Sequence, residues 1–152
     1  MAVVSLTAAQ QGSVDAMVAA GQLRRVAPDE GKARAFLRGA EAALVDVPHV
    51  TRIENMYDLA YKAAHDAGEA MLSAYGFKTT FGPGAHERIG TFLAAIFDTP
   101  PPSNAAAHYE VMRVDRNANH YRARPVTEAA ANEAASAAQV LYDAARARVT
   151  AD

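Results

Sequence analysis

Thr51-Arg52-Ile53-Glu54-Asn55-Met56-Tyr57-Asp58-Leu59-Ala60-Tyr61-Lys62-Ala63-Ala64-His65-Asp66-Ala67-Gly68-Glu69-Ala70-Met71-Leu72-Ser73-Ala74-Tyr75-Gly76 reads as one long helix, the longest in the chain. Ile53, Met56, Tyr57, Ala60, Ala64, Ala67, Met71 and Ala74 fall on one apolar stripe at helical spacing. Thr51 and Glu54 have the separation of a capping box. Gly68 allows close approach of another helix, and Gly76 suits the C-cap.

The segments on either side read the same way. Thr7 and Gln10 fit a second capping box, opening a short helix that runs to about Ala20 and ends at Gly21, with Val14, Met17 and Val18 inward. Leu23-Arg24-Arg25-Val26 reads as a linker with solvated arginines. Pro28 suits a first helical turn, with Asp29 and Glu30 near the positive end of the dipole. Ala33, Phe36, Leu37, Ala40, Leu44 and Val47 then line one stripe until Pro48.

Downstream, residues 76–84 read as a glycine-rich loop with Phe77 and Phe81 folding back onto the core. Ile89, Phe92, Leu93 and Ile96 mark a helix from about Ala85 to Phe97, broken by Pro100-Pro101-Pro102. Ser103 or Asn104 is expected to cap a helix reaching His120. Thr127 caps the last one, with Ala130, Ala134, Ala137, Leu141, Ala144 and Arg148 along one side. No strand-like alternation bounded by hairpin turns occurs. The expectation is an all-α fold, an up-and-down bundle of four or five main helices plus a short N-terminal helix. It forms a single domain over 1–152, with its core at about 28–150. Alanine-lined faces bury little area each, so a self-complementary homodimer face is expected as well.

Composition narrows the function classes. Of the 152 residues, 51% are hydrophobic and 21% charged, and the net charge of −2 fits neither extended disorder nor a strongly basic nucleic-acid scaffold. Any nucleic-acid contact has to come from a local arginine cluster. Without cysteine there are no disulfides or thiolate metal sites. No stretch approaches the roughly 18 apolar residues of a spanning helix, and Met1 to Thr7 lacks a basic start, so a cytoplasmic protein without a membrane partner is expected. Abundant alanine and the preference for arginine over lysine suggest a high-GC bacterial coding bias.

Arg113-Val114-Asp115-Arg116-Asn117-Ala118-Asn119-His120-Tyr121 is the stretch that a bland helical protein does not need. At 100° per residue, Arg113, Arg116, Asn117 and His120 share an arc of about 100°. The plain reading is a solvated face, with Glu110 and Asp115 as weak ion-pair partners. The sharper reading is a phosphate grip by guanidinium groups, with His120 moving a proton near neutral pH.

Other constellations carry less. His65 and Glu69, His86, and either His49 or His108 could assemble a metal site in a bundle core, although such pairs also furnish ordinary polar faces. Gly82-Pro83-Gly84 lacks the Lys-Ser/Thr of a phosphate loop and follows no strand. Ser73 and Ser103 have no nucleophile elbow around them. Tyr57, Tyr61 and Tyr75 read as core and rim.

From about Gly31 to Val149 the chain resembles the HEPN superfamily (higher eukaryotes and prokaryotes nucleotide-binding), in particular its small bacterial stand-alone members. Tyr57 to Ala64, Leu72 to Phe77 with Gly84-Ala85-His86, Met112 to Tyr121, and Val126 to Ala129 carry the resemblance. Arg116-Asn117 matches the family's Arg-Asn half-motif. His120 follows four positions later, and Tyr121 stands where many non-catalytic relatives have Tyr. The resemblance implies RNA or nucleotide binding and metal-independent RNA cleavage, with Arg116 and His120 catalytic and Asn117, Arg113 and Tyr121 supporting. It implies no cofactor, and a site built across a homodimer. An inactive member would act as an interaction or regulatory module in a toxin–antitoxin or defence system. A cognate antitoxin or a nucleotidyltransferase-like protein would then be the partner.

Overall fold

In the computed structural model, the backbone is described for residues 3–121 and 125–149, and side chains for these except 118–121. The order is α1 (Ala8–Ala19), β1 (Leu23–Arg25), α2 (Glu30–Asp46), a 3-10 turn (Val47–His49), α3 (Ile53–Tyr75), β2 (Phe77–Thr79), α4 (Ala85–Ile96), α5 (Pro102–Tyr121) and α6 (Glu128–Arg148). The fold is an all-α bundle, with five main helices and a short N-terminal one among the described residues.

Helix α3 is the axle, packing against α2, α4, α5 and α6. Its burial is broader than the apolar stripe suggests. Ala60, Ala63, Ala64, Ala67 and Ala70 are all fully buried, with Tyr57, Tyr61 and Met71 among them. Small side chains on several faces let several helices approach one central helix. Gly68 takes this furthest, because a methyl group there would overlap the Ile89 side chain of α4. Alanine is the better helix former by about 1 kcal/mol. Overpacking costs about 1–3 kcal/mol, so Gly68→Ala is expected to lower stability on balance. A urea melt of the variant with an unchanged or higher midpoint would show that α4 can move aside.

The Thr7–Gln10 capping box forms as expected. The Gln10 N–H donates to Thr7 Oγ1 at 3.1 Å and the Thr7 N–H to Gln10 Oε1 at 3.0 Å. Gln10 Nε2 also donates to Asp98 Oδ1 at 2.8 Å, tying α1 to the end of α4. The second expected box does not form. Met56 N–H donates to the Arg52 carbonyl, so Arg52 is the N-cap and Glu54 sits too early to reach back. Two further starts are corrected. Pro28 precedes the true cap Asp29, whose carboxylate accepts from Lys32 N–H at 2.9 Å. Helix α5 begins at Pro102, before Ser103 and Asn104. Thr127 caps α6, accepting from Ala130 N–H, and Gly76 closes α3 at φ 81°.

The linker at 23–26 and the loop after Gly76 contain strands that the sequence pattern does not announce. β1 and β2 pair antiparallel, with Leu23 opposite Thr79, Arg24 opposite Lys78 and Arg25 opposite Phe77. Phe77 is buried as expected, but Phe81 is fully exposed. Thr80 is the last anchored residue, its hydroxyl accepting from Arg88 at 2.8 Å and its N–H donating to Gln22 O. The chain then turns outward through Gly82 and Gly84, both at positive φ.

At the C-terminal end of α3, Arg148 donates to Ile96 O at 2.6 Å and to the Tyr75 hydroxyl at 3.0 Å. Its guanidinium lies 4.9 Å above the Phe97 ring. One arginine thus joins α3, α4 and α6. Among the described residues no helix is long and apolar enough to cross a membrane.

Candidate functional site

Three helices bring one polar cluster together. Successive turns of α3 present Tyr61 and His65, the first turn of α4 presents His86, and the face of α5 with heptad-like spacing presents Tyr109, Arg113 and Arg116. The Tyr61 hydroxyl lies 2.7 Å from His86 Nδ1 and 3.4 Å from the Tyr109 hydroxyl. The Tyr61 ring stacks against Tyr109 at 5.5 Å, and the His65 and His86 rings are 4.5 Å apart. The Arg116 guanidinium lies 5.1 Å over the Tyr61 ring.

Each arginine also has a carboxylate. Glu110 grips Arg113 through two hydrogen bonds, at 2.6 and 3.0 Å, and this pairing holds the Glu110 carboxyl below its usual range. Arg116 Nε is 3.7 Å from Asp58 Oδ1, a looser contact, and the Arg116 side chain is more exposed than that of Arg113. Asp115 accepts from the buried Tyr57 hydroxyl at 3.3 Å, so it is turned toward the core.

The electrostatics of His86 follow from its neighbours. Burial, then the His65 ring, then Arg116 and Arg113 all disfavour its protonated form, so its pKa lies below the ordinary 6.5. Burial raises the Tyr61 and Tyr109 hydroxyls above their ordinary values, which keeps both protonated. In the tautomer whose Nδ1–H donates to Tyr61, His86 has a free Nε2 lone pair able to take a proton. His65 Nδ1 stands 3.7 Å from Asp66 Oδ1, and its Nε2 stands 3.9 Å from Glu69 Oε1. The site therefore offers guanidinium groups for an anion, one neutral imidazole, and a second imidazole beside it with carboxylates near.

The residues expected to form the site are placed as follows. Arg113 and Arg116 lie in the cluster, and Asn117 is exposed one residue further on. The side chains of His120 and Tyr121 lie outside the described residues. The partners that the sequence does not join to the arginines are Tyr61, His65, His86 and Tyr109; it offers His65 and His86 for a metal site and Tyr61 as core or rim. The signal for them was the i,i+4 pair Tyr61/His65 and the spacing of Tyr109, Arg113 and Arg116, which puts those three on one stripe.

The metal alternative does not come together. His108 lines a groove between α5 and α6, and His49 lies at the 3-10 turn. Among the described residues no three His, Asp or Glu side chains are set to hold a metal ion. Compared with family models, curated proteins and solved structures, the chain matches none of them.

Proposed function

We propose that this chain is a HEPN-like RNA-binding protein that cleaves its strand without a metal, using the cluster between α3, α4 and α5. The observation that carries the reading is the Arg116 guanidinium stacked on Tyr61 in the same cluster as the neutral His86. Arg116 and Arg113 would neutralise a phosphodiester and the charge growing on it. His86 Nε2 would take the ribose 2′-OH proton as O2′ attacks phosphorus. The 5′ oxygen would leave with a proton supplied by a second acid, giving a 2′,3′-cyclic phosphate and a free 5′-OH. His65 and His120 are the candidates for that acid. Val111 and Val114, 46% and 51% exposed one turn apart on α5, support pairing of two copies along this helix.

Arg116→Ala is expected to weaken binding of a labelled single-stranded RNA about 10–100-fold, the effect of losing a charged hydrogen bond. Fluorescence anisotropy at low salt measures this, and wild-type protein that binds no RNA there removes the reading. Cleavage in excess chelator by wild type, Arg116→Ala and His120→Ala then tests the chemistry.

A second reading is favoured by the carboxylates already on the arginines, Glu110 on Arg113 and Asp58 by Arg116. In it the cluster is a scaffold of a non-catalytic interaction module. RNA affinity would then be indifferent to Arg116.

A further inference from the structure

The β-ribbon contains an arrangement that the proposed site does not use. Arg24 and Lys78 are directly opposite in the ladder, so two positive side chains project side by side from the same face. Like charges in that relation are destabilising. Lys32, from the first turn of α2, joins them around a cavity of about 260 Å³. None of the three side chains has a hydrogen-bond or ion-pair partner among the described residues.

The wall of that cavity is polar too. Ser73 of α3 lines it at 7% exposure, and its hydroxyl has no partner among the described residues. Two carboxylates are present. Asp29 is committed to capping α2 through Lys32 N–H, and Glu69 stands by His65. Three cations without direct partners outnumber these two carboxylates, and with an unpartnered hydroxyl on the wall they are the chemistry of a phosphate site.

Glu69 also links this cavity to the site above. Tyr61, His65, Glu69 and Ser73 are successive i,i+4 neighbours along one ridge of α3. Their twelve-residue span is about 18 Å along the helix axis. One end carries Arg116 and His86, and the other carries Arg24, Lys32 and Lys78.

We infer that the Arg24–Lys32–Lys78 cavity binds a second phosphate group of the same RNA strand, which runs along this ridge of α3 from Arg116. The inference rests on the RNA-binding reading above. Glu69, midway, and Asp29, on the cavity wall, are carboxylates the strand has to pass; the first is held by its contact with His65 and the second by its cap on α2.

The test compares wild type with the Arg24→Gln/Lys78→Gln double variant, whose side chains are exposed and leave the core untouched. The probes are uridine monophosphate, inorganic phosphate and an oligouridylate of about twelve nucleotides, within the usual single-strand site size. The variant is expected to bind the oligomer at least about fivefold more weakly, with a salt slope shallower by about 0.7 for each phosphate it no longer neutralises. Its affinity for the monophosphate stays that of wild type. Its melting temperature without ligand is equal or higher, because the like-charge pair is gone. Equal oligomer affinity and equal slope in the two proteins overturn the inference and leave the proposed function standing. Phosphate that protects only wild type from melting, with oligomer binding unchanged, overturns it in favour of a free-phosphate site. Wild type that binds no oligomer at all removes the parent reading with it.

Discussion

Replacing Tyr109 by alanine is expected to cost about 3–5 kcal/mol of folding stability, the range for deleting a buried aromatic side chain. Tyr109 is wholly buried and sits where α4 and α5 cross. Its ring lies on Gly90, where an added methyl would come within 2.8 Å of Tyr109 Cδ1, so that glycine is the slot into which the ring packs. The ring also stacks on Tyr61. Removing the ring leaves a cavity bounded by two helices, and α4 cannot close it without moving His86. In a chain of this size each kcal/mol corresponds to about 2–4 °C in melting temperature. Urea and thermal melts would measure the loss. Tyr109→Phe keeps the ring and gives up only a long hydroxyl contact of 3.4 Å, so its cost should stay below about 1.5 kcal/mol. An alanine variant as stable as the phenylalanine one would show that the ring is not the wedge between the helices.

This dependence of the site on the core explains how much of the molecule is legible in the sequence. Helix α3 could be read almost to the residue, because a left-handed Gly76 and an unbroken apolar period leave little choice of ends. The Thr7–Gln10 box was legible for the same local reason. The Thr51–Glu54 box was not, since identical spacing was shifted by one residue once Arg52 took the cap. The β-ribbon left no signal. Each strand has three residues, too few to establish alternation, and α2 and α3 separate them, so no hairpin turn marks the pairing.

The site shows a similar division. Arg113 and Arg116 stood out because charges on an alanine-rich helix interrupt its pattern. Tyr61 reads as core or rim, and it lies in the core beside Tyr109, at 4% and 0% exposure. Their hydroxyls meet only through tertiary packing. His65 and His86 are 21 positions apart on different helices, and periodicity within a helix cannot bring them together. The glycines that set the α3–α4 and α4–α5 approaches, Gly68 and Gly90, determine that distance.

The largest functional effect expected is at His86. On the proposed function, His86→Ala reduces RNA cleavage about 10²–10⁴-fold, the contribution of a positioned acid–base group, with RNA affinity little changed. Its surroundings set the pH dependence: Tyr61 and His65 from α3, Tyr109, Glu110, Arg113 and Arg116 from α5, and Glu87 and Arg88 on its own helix. The folded pKa is depressed by burial and by His65, Arg116 and Arg113. The base works as the neutral imidazole, so the acidic limb of the rate profile should have its midpoint below 6.5. A limb at or above 6.5 would assign the proton transfer to another group. Stability follows the same sign. The unfolded chain takes up the proton first as pH falls, so the contribution of His86 is complete above 6.5 and is lost as pH drops from there through the folded value. In His86→Ala that part of the acid destabilisation disappears, and chemical melts between pH 7 and pH 5 would detect it. Cleavage restored to the variant by added imidazole would mark a missing proton acceptor and not a collapsed pocket. If His120→Ala abolishes cleavage while His86→Ala retains it with an unshifted acidic limb, the base belongs to the end of α5 and not to the first turn of α4.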